Sequence, residues 1–237
     1  MQARQLFQSG RLDEAIEALG AEVRDNPTDA QRRAFLFELL CFAGQFDRAE
    51  KQLSVLGRAG RDAEMGALLY HAALHAERLR NEMFEKQNFP QTSARIVGGT
   101  VNGQAFTSIT DADPRIGARL ELFAGGQYMW LPFEHVAVVR MEAPKKLRDL
   151  LWAPAIVRPN ESFTGLELGE VLLPAIAPQT WREADAVVRL GRVTEWRELE
   201  DGEQAPVGQK MLLVDDVEFP ILELRELEIT LAPTAST

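Results

Sequence analysis

Gly10-Arg11-Leu12-Asp13-Glu14-Ala15 and Gly44-Gln45-Phe46-Asp47-Arg48-Ala49 carry glycine, an apolar third position, aspartate and alanine in the same order, and the register continues to Leu19 over Leu53. Every matched pair is 34 residues apart. A repeat of that length holds two antiparallel helices, whose shared apolar face is buried only when one unit stacks on the next. Gly10 and Gly44 fall at the turn between the two helices, and Ala15 and Ala49 are the small residues that let the helices approach.

The same offset lays Thr28-Asp29-Ala30 over Asp62-Ala63-Glu64, so a third unit starts before an apolar-rich helix from Met65 to Met83. The pattern predicts helices at roughly 2–9, 12–25, 28–43, 46–59 and 62–84, with Pro27 closing the second. The period is that of tetratricopeptide repeats. Arg33 and Phe37 depart from the aromatic and the glycine usual at those points, and the plain alternative is a generic helical bundle.

After Phe89-Pro90 the texture changes to short β-type runs punctuated by Gly and Pro. Gly117–Ala124 alternates, Gly125-Gly126 supplies a hairpin turn, and Gln127–Leu131 returns. Further strands are expected at Val136–Met141, Gly169–Leu173, Asp185–Leu190, Gln209–Val214, Phe219–Leu224 and Leu224–Ile229, with a short helix from Lys145 to Leu151 and a frayed end from Ala232 to Thr237. The expected fold is α+β in two parts: a tetratricopeptide-like helical region over 1–88, then a mainly antiparallel, barrel-like β-rich domain over 89–237. The boundary is placed near 86–100, where limited proteolysis is expected to cut, as also in the expected loop Leu199–Gly208.

Composition narrows the function. The chain has 237 residues, 46% of them hydrophobic, and a net charge of -10 concentrated after residue 90. Such a balance disfavours nucleic acid, which requires a basic footprint. The lone Cys41 lies in an apolar run, so neither a disulfide framework nor a cysteine metal site is expected. The first residues lack a signal core and no apolar run is long enough for a membrane, which leads to the expectation of a soluble, cytoplasmic protein.

Enzymatic signals are weak. His71 and His75 stand one helical turn apart, the spacing of paired zinc ligands, but Ala72-Ala73 lies between them and the glutamate of a metalloprotease is missing. Packing or groove lining is the simpler reading. Arg95-Ile96-Val97-Gly98-Gly99-Thr100 imitates a protease activation site without the rest of that family, and reads as a glycine turn between strands. The acidic clusters around Asp111-Asp113, Glu198–Glu203 and Asp215–Glu218 could bind a hard cation if they converged, but each flanks an expected turn. Trp130, Trp152, Trp181 and Trp196 all belong to the second region, mostly as core. No catalytic residues, metal or cofactor are assigned.

Longer blocks are more specific. Tyr128-Met129-Trp130-Leu131-Pro132-Phe133-Glu134-His135-Val136, then Pro144 and Leu147-Arg148-Asp149-Leu150-Leu151-Trp152, resemble the central block of the ImpE/TagJ proteins. Gly169–Ala175, Leu190–Trp196 and Gly208 to Arg225 resemble later blocks of the same family, in order. Ala177-Pro178-Gln179 and Glu195 depart from its pattern. The resemblance implies an accessory role in bacterial type VI secretion, with the small subunit of the contractile sheath as partner and a link to the ClpV-type AAA+ ATPase that dismantles the sheath. It carries no catalytic residues.

Stacked repeats leave a concave face lined by their first helices, suited to an amphipathic helix or an extended peptide. Carried over position by position, that face includes Gln31, Ala34, Glu38, Cys41 and Phe42 from one helix and Met65, Leu68, Ala72 and His75 from the next. The alternative is that the second domain covers several of them. Other functional classes are a structural component of the apparatus and a metal- or ligand-dependent enzyme with a pocket in the β-rich domain.

Overall fold

The computed structural model describes residues 2–91, 94–165 and 168–230; the expected frayed end from Ala232 lies outside them. Five helices come first: α1 (Gln2–Gln8), α2 (Leu12–Asp25), α3 (Ala30–Phe42), α4 (Phe46–Leu56) and α5 (Arg61–Lys86). Their boundaries follow local chemistry. Gly10 and Gly44 take left-handed turns at φ 77 and 67, and the Asp29 carboxylate caps α3 by accepting the Arg32 N–H at 2.9 Å. Left-handed Gln87 ends α5 at 26 residues.

The strands are β1 (Gly98–Val101), β2 (Gln104–Phe106), β3 (Ile109–Asp111), β4 (Arg119–Ala124), β5 (Gln127–Pro132), β6 (Val136–Met141), β7 (Trp152–Pro159), β8 (Gly169–Pro174), β9 (Thr194–Glu198), β10 (Gln204–Gly208), β11 (Met211–Val214), β12 (Val217–Pro220) and β13 (Glu226–Thr230), with α6 (Ala186–Arg189) between β8 and β9. They are antiparallel, as expected, but do not close into a barrel. One open sheet has the order β2-β1-β13-β6-β7-β8-β4-β5, a second β12-β11-β3, and a third is the β9-β10 ribbon.

Four local expectations change. Asp185–Leu190 forms α6, because Asp185 caps it by accepting the Val187 N–H at 2.7 Å. Gly98 and Gly99 lie within β1, where a Cβ on Gly99 would sit 2.0 Å from the Glu228 carbonyl oxygen of β13; close backbone approach, not a turn, requires the glycine. The expected helix at Lys145–Leu151 shrinks to one 3₁₀ turn over Leu147–Leu150. Residues 204–208, expected as part of a loop, form β10.

Alternation along the strands divides the large sheet into two faces. Leu120, Leu122, Val157, Val171 and Leu173 point into a core shared with Ile109 of β3 and Leu212 of β11. Their sequence neighbours Phe123 and Leu172 point the other way and, with Trp152 at the start of β7, join the helical core of Leu36, Phe37, Leu39, Leu40, Phe42, Ala73 and Leu74. The helices and the sheet therefore bury one another. The turns of both repeats also dock on the region after β8. The Trp181 ring lies where a Cβ on Gly44 would be, within 2.6 Å, and Arg192 donates to the carbonyls of Phe7 and Gln8 beside Gly10.

Candidate functional site

The concave face of the repeats is already occupied, by the protein itself. The 3₁₀ turn at Leu147–Leu150 and the start of β7 enter it as a plug. Trp152 stacks on Tyr70 of α5 at 6.2 Å and tilts against Phe37 of α3 at 6.4 Å, and its indole N–H donates to Glu77 at 3.0 Å. Arg148 donates to Glu38 of α3 at 2.9 Å and lies over the Tyr70 ring at 4.9 Å. Burial raises the Glu38 carboxyl above its ordinary value even against the pull of Arg148, and it pushes the Cys41 thiol up.

The expected partner-binding set is divided by this plug. Glu38, Cys41 and Phe42 are 7%, 4% and 2% exposed and belong to the interior, which corrects their assignment to an open surface. The physical reason is the Leu151-Trp152 insertion: a large aromatic and a leucine cover what two isolated repeats would leave to a ligand. Gln31 and His75 are exposed, and Met65 and Leu68 of α5 are each 63% exposed. His71 lies 3.7 Å from Glu50 of α4, and no group of three His, Cys, Asp or Glu among the described residues is placed to hold a metal ion.

Behind the plug, α5 is held to the sheet by buried ions. Arg80, 2% exposed, donates to both carboxylate oxygens of Glu121 in β4 at 2.9 Å and to the Ile176 carbonyl at 3.1 Å. Lys210, fully buried, reaches Glu121 and lies 2.5 Å from Asp111 of β3. Burial works against ionised Glu121, yet Arg80 and Lys210 together hold its carboxyl well below the usual range. Burial pushes Asp111 up to about 7 despite Lys210 beside it. The Asp111-Asp113 cluster is thus an internal tie, with Asp113 pairing with Arg115 at 2.6 Å, and not a cation site. Sequence reading missed this network because its members lie on three separate elements, α5, β3 and β4, and on the connection before β11; the one signal was a charged residue, Glu121, inside an alternating strand.

A wide opening lies beside the plug, sharing Tyr70 with it. A groove of about 860 Å³ is walled by Leu69, Tyr70, Ala72 and Ala73 of α5 and by the loop from Glu142 to Lys146. Its floor is the outer face of β6, β7 and β8, with Pro154, Ile156 and Leu172. That volume is within the roughly 300–1,000 Å³ of ligand clefts. Leu69 is 50% and Ile156 42% exposed, so the apolar strip Met65, Leu68, Leu69, Ala72 at helical spacing leads from the surface of α5 into the groove.

Comparison with known proteins agrees with this architecture. The tetratricopeptide repeat family matches residues 6–71 and the ImpE protein family residues 103–228. The type VI secretion system accessory component TagJ of Pseudomonas aeruginosa is 34% identical over 264 residues, covering 96% of this chain and 91% of that protein. The X-ray crystal structure of a Vibrio parahaemolyticus protein superposes with a TM-score of 0.85 at 23% identity, covering 98% of this chain and 99% of that one, and so shares the fold. With more than half its length matched and a relative at that identity over nearly its whole length, the chain belongs to the ImpE/TagJ family.

Proposed function

We propose that the protein is a non-enzymatic adaptor of a type VI secretion system that binds a helical segment of the small sheath subunit and links the sheath to the ClpV-type AAA+ ATPase. The relationship to TagJ supports the accessory role. The observation that carries the docking site is the uncovered strip on α5 continuous with the groove. In the repeat register α1 pairs with α2 and α3 with α4, whereas among the described residues α5 is followed by β1 and has no helical mate of its own. Its second half is covered by the sheet, through Arg80 on Glu121 and Phe84 against Trp130 at 6.0 Å. Its first half presents Met65, Leu68 and Leu69 to solvent. A partner helix laid there completes the third pair, the arrangement an amphipathic helix in an apolar groove requires.

Titration calorimetry with the purified small sheath subunit tests this. Leu68→Asp with Leu69→Asp is expected to weaken binding at least 30-fold, about 2 kcal/mol, with unchanged circular dichroism, since apolar anchors near an interface centre carry that much. Unchanged affinity in the folded variant would remove the docking site.

A further inference from the structure

We infer that Arg148, which bridges Glu38 of α3 and Tyr70 of α5, is a positioning residue that fixes the two walls of the groove relative to each other without itself lining the groove. The inference rests on the docking site proposed above and assigns what holds that site in shape.

Both walls are mounted on the plug. The loop from Glu142 to Lys146 is pinned to the 3₁₀ turn that follows it: the buried Asp149 carboxylate accepts the backbone N–H groups of Lys145 and Lys146 at 2.8 and 2.9 Å, and the Asp149 N–H donates to the Lys146 carbonyl at 3.0 Å. The loop wall therefore goes where the turn goes. Tyr70 belongs to both sites, since its ring packs on Trp152 and Phe37 in the plug and the residue also lines the groove from α5. Arg148 joins the two, and the lining passes from Lys146 to Asp149 on either side of it.

The link is directional. Arg148 Nε donates to Glu38 at 2.9 Å while its guanidinium lies 4.9 Å over the Tyr70 ring. A planar fork held at once by a carboxylate and a ring face has little freedom to rotate. The neighbouring Leu151 and Trp152 bury apolar surface in the helical core, an attraction without direction that holds the chain down but does not orient the turn.

Stability does not account for the ion pair. Burial, with Asp149 adding to it, raises the Glu38 carboxyl although Arg148 and Lys146 pull the other way. Most of the attraction is thus offset by desolvation, and replacing such a pair by apolar side chains of similar volume is commonly neutral or stabilising. What an apolar pair cannot reproduce is the angle.

The test compares the full-length wild type with Glu38→Met plus Arg148→Met, and with Leu68→Asp plus Leu69→Asp. The Glu38-Arg148 variant is expected to resist chemical denaturation as well as wild type, yet to bind the purified small sheath subunit at least about tenfold more weakly in titration calorimetry. A crystal structure of that variant without partner should show the Glu142–Lys146 loop displaced from α5. A loop that keeps its wild-type place overturns the positioning role whatever the affinity, and so does wild-type affinity in the folded variant while the Leu68-Leu69 variant loses binding, which leaves the docking site standing. Arg148→Lys keeps the charge and loses the fork, so it should weaken binding too; if the Glu38-Arg148 variant does not fold, wild-type affinity in Arg148→Lys overturns the role instead. Wild-type binding by the Leu68-Leu69 variant removes the docking site, and the loop position alone then decides whether Arg148 holds the walls.

Discussion

The two halves of α5 belong to one helix and behave as two surfaces. From Ala73 to Phe84 it is buried through Leu74, Ala76, Arg80 and Phe84, the last two against the sheet, whereas from Met65 to Leu69 it turns large apolar side chains to solvent. Propensity does not separate the halves, since both contain good helix formers. Coverage does: the sheet reaches only part of the helix. A repeat array that normally keeps its concave face for a ligand has here filled that face with its own Trp152 and left a stretch of its last helix open.

The comparison breaks first on Phe42. In an open groove Phe42→Asp would leave the fold intact, but at 2% exposure it places an unpaired carboxylate in the shared core. Loss of the cooperative thermal transition is expected, because the desolvation cost rivals the whole stability of a domain. A folded Phe42→Asp protein would mean that the plug is loose. Next in size is Arg80→Met, which leaves Glu121 buried beside a single cation and should cost about 3–5 kcal/mol in chemical denaturation. A change under about 1 kcal/mol would show that the ion network does not hold the second half of α5.

Asp111 sharpens the same point through pH. Its folded carboxyl titrates at about 7 against an ordinary 3.8, so the native state binds the extra proton between those values. Stability from this group is complete below the ordinary value and is lost as pH rises through about 7. Glu121 acts oppositely, losing stability only as pH falls below its ordinary 4.5, while Glu38, raised by burial, acts in the same direction as Asp111, so the Asp111 share is read by difference against Asp111→Asn. A decline of about 1–3 kcal/mol from about pH 5 to 7 is expected in the wild type relative to Asp111→Asn, and parallel curves for the two proteins would refute it. Smallest is the first half of α5: Leu68→Asp with Leu69→Asp should shift unfolding free energy by less than about 1 kcal/mol, since exposed positions bury little. A larger loss would show that the strip is covered within the protein.

Much of this was legible in the chain. The glycine register gave all five helices to within a few residues, and Gly125-Gly126 between alternating runs gave β4 and β5. β7, at eight residues the longest strand, was hidden by its prolines. Pro154 lies one position past the last β6 pairing, Met141 with Ala155, and Pro159 closes the other end, so both sit where no further ladder partner from β6 follows. Of the expected site, Met65 and Leu68 stayed on the surface while Glu38, Cys41 and Phe42 did not, although all were chosen by the same positional rule.

What the sequence by itself determined is the set of features that local periodicity and turn chemistry encode: the 34-residue register, the capped helices, the alternating strands and the ordered blocks of the family. Which face of each helix is covered was decided only by tertiary structure. An apolar stripe states that something must bury it and is silent about whether a segment 110 residues away, as Arg148 is from Glu38, or a second protein does so. The same holds for the buried ions, where Arg80, Glu121, Lys210 and Asp111 acquire their meaning only when distant parts of the chain bring them within hydrogen-bonding distance in the interior.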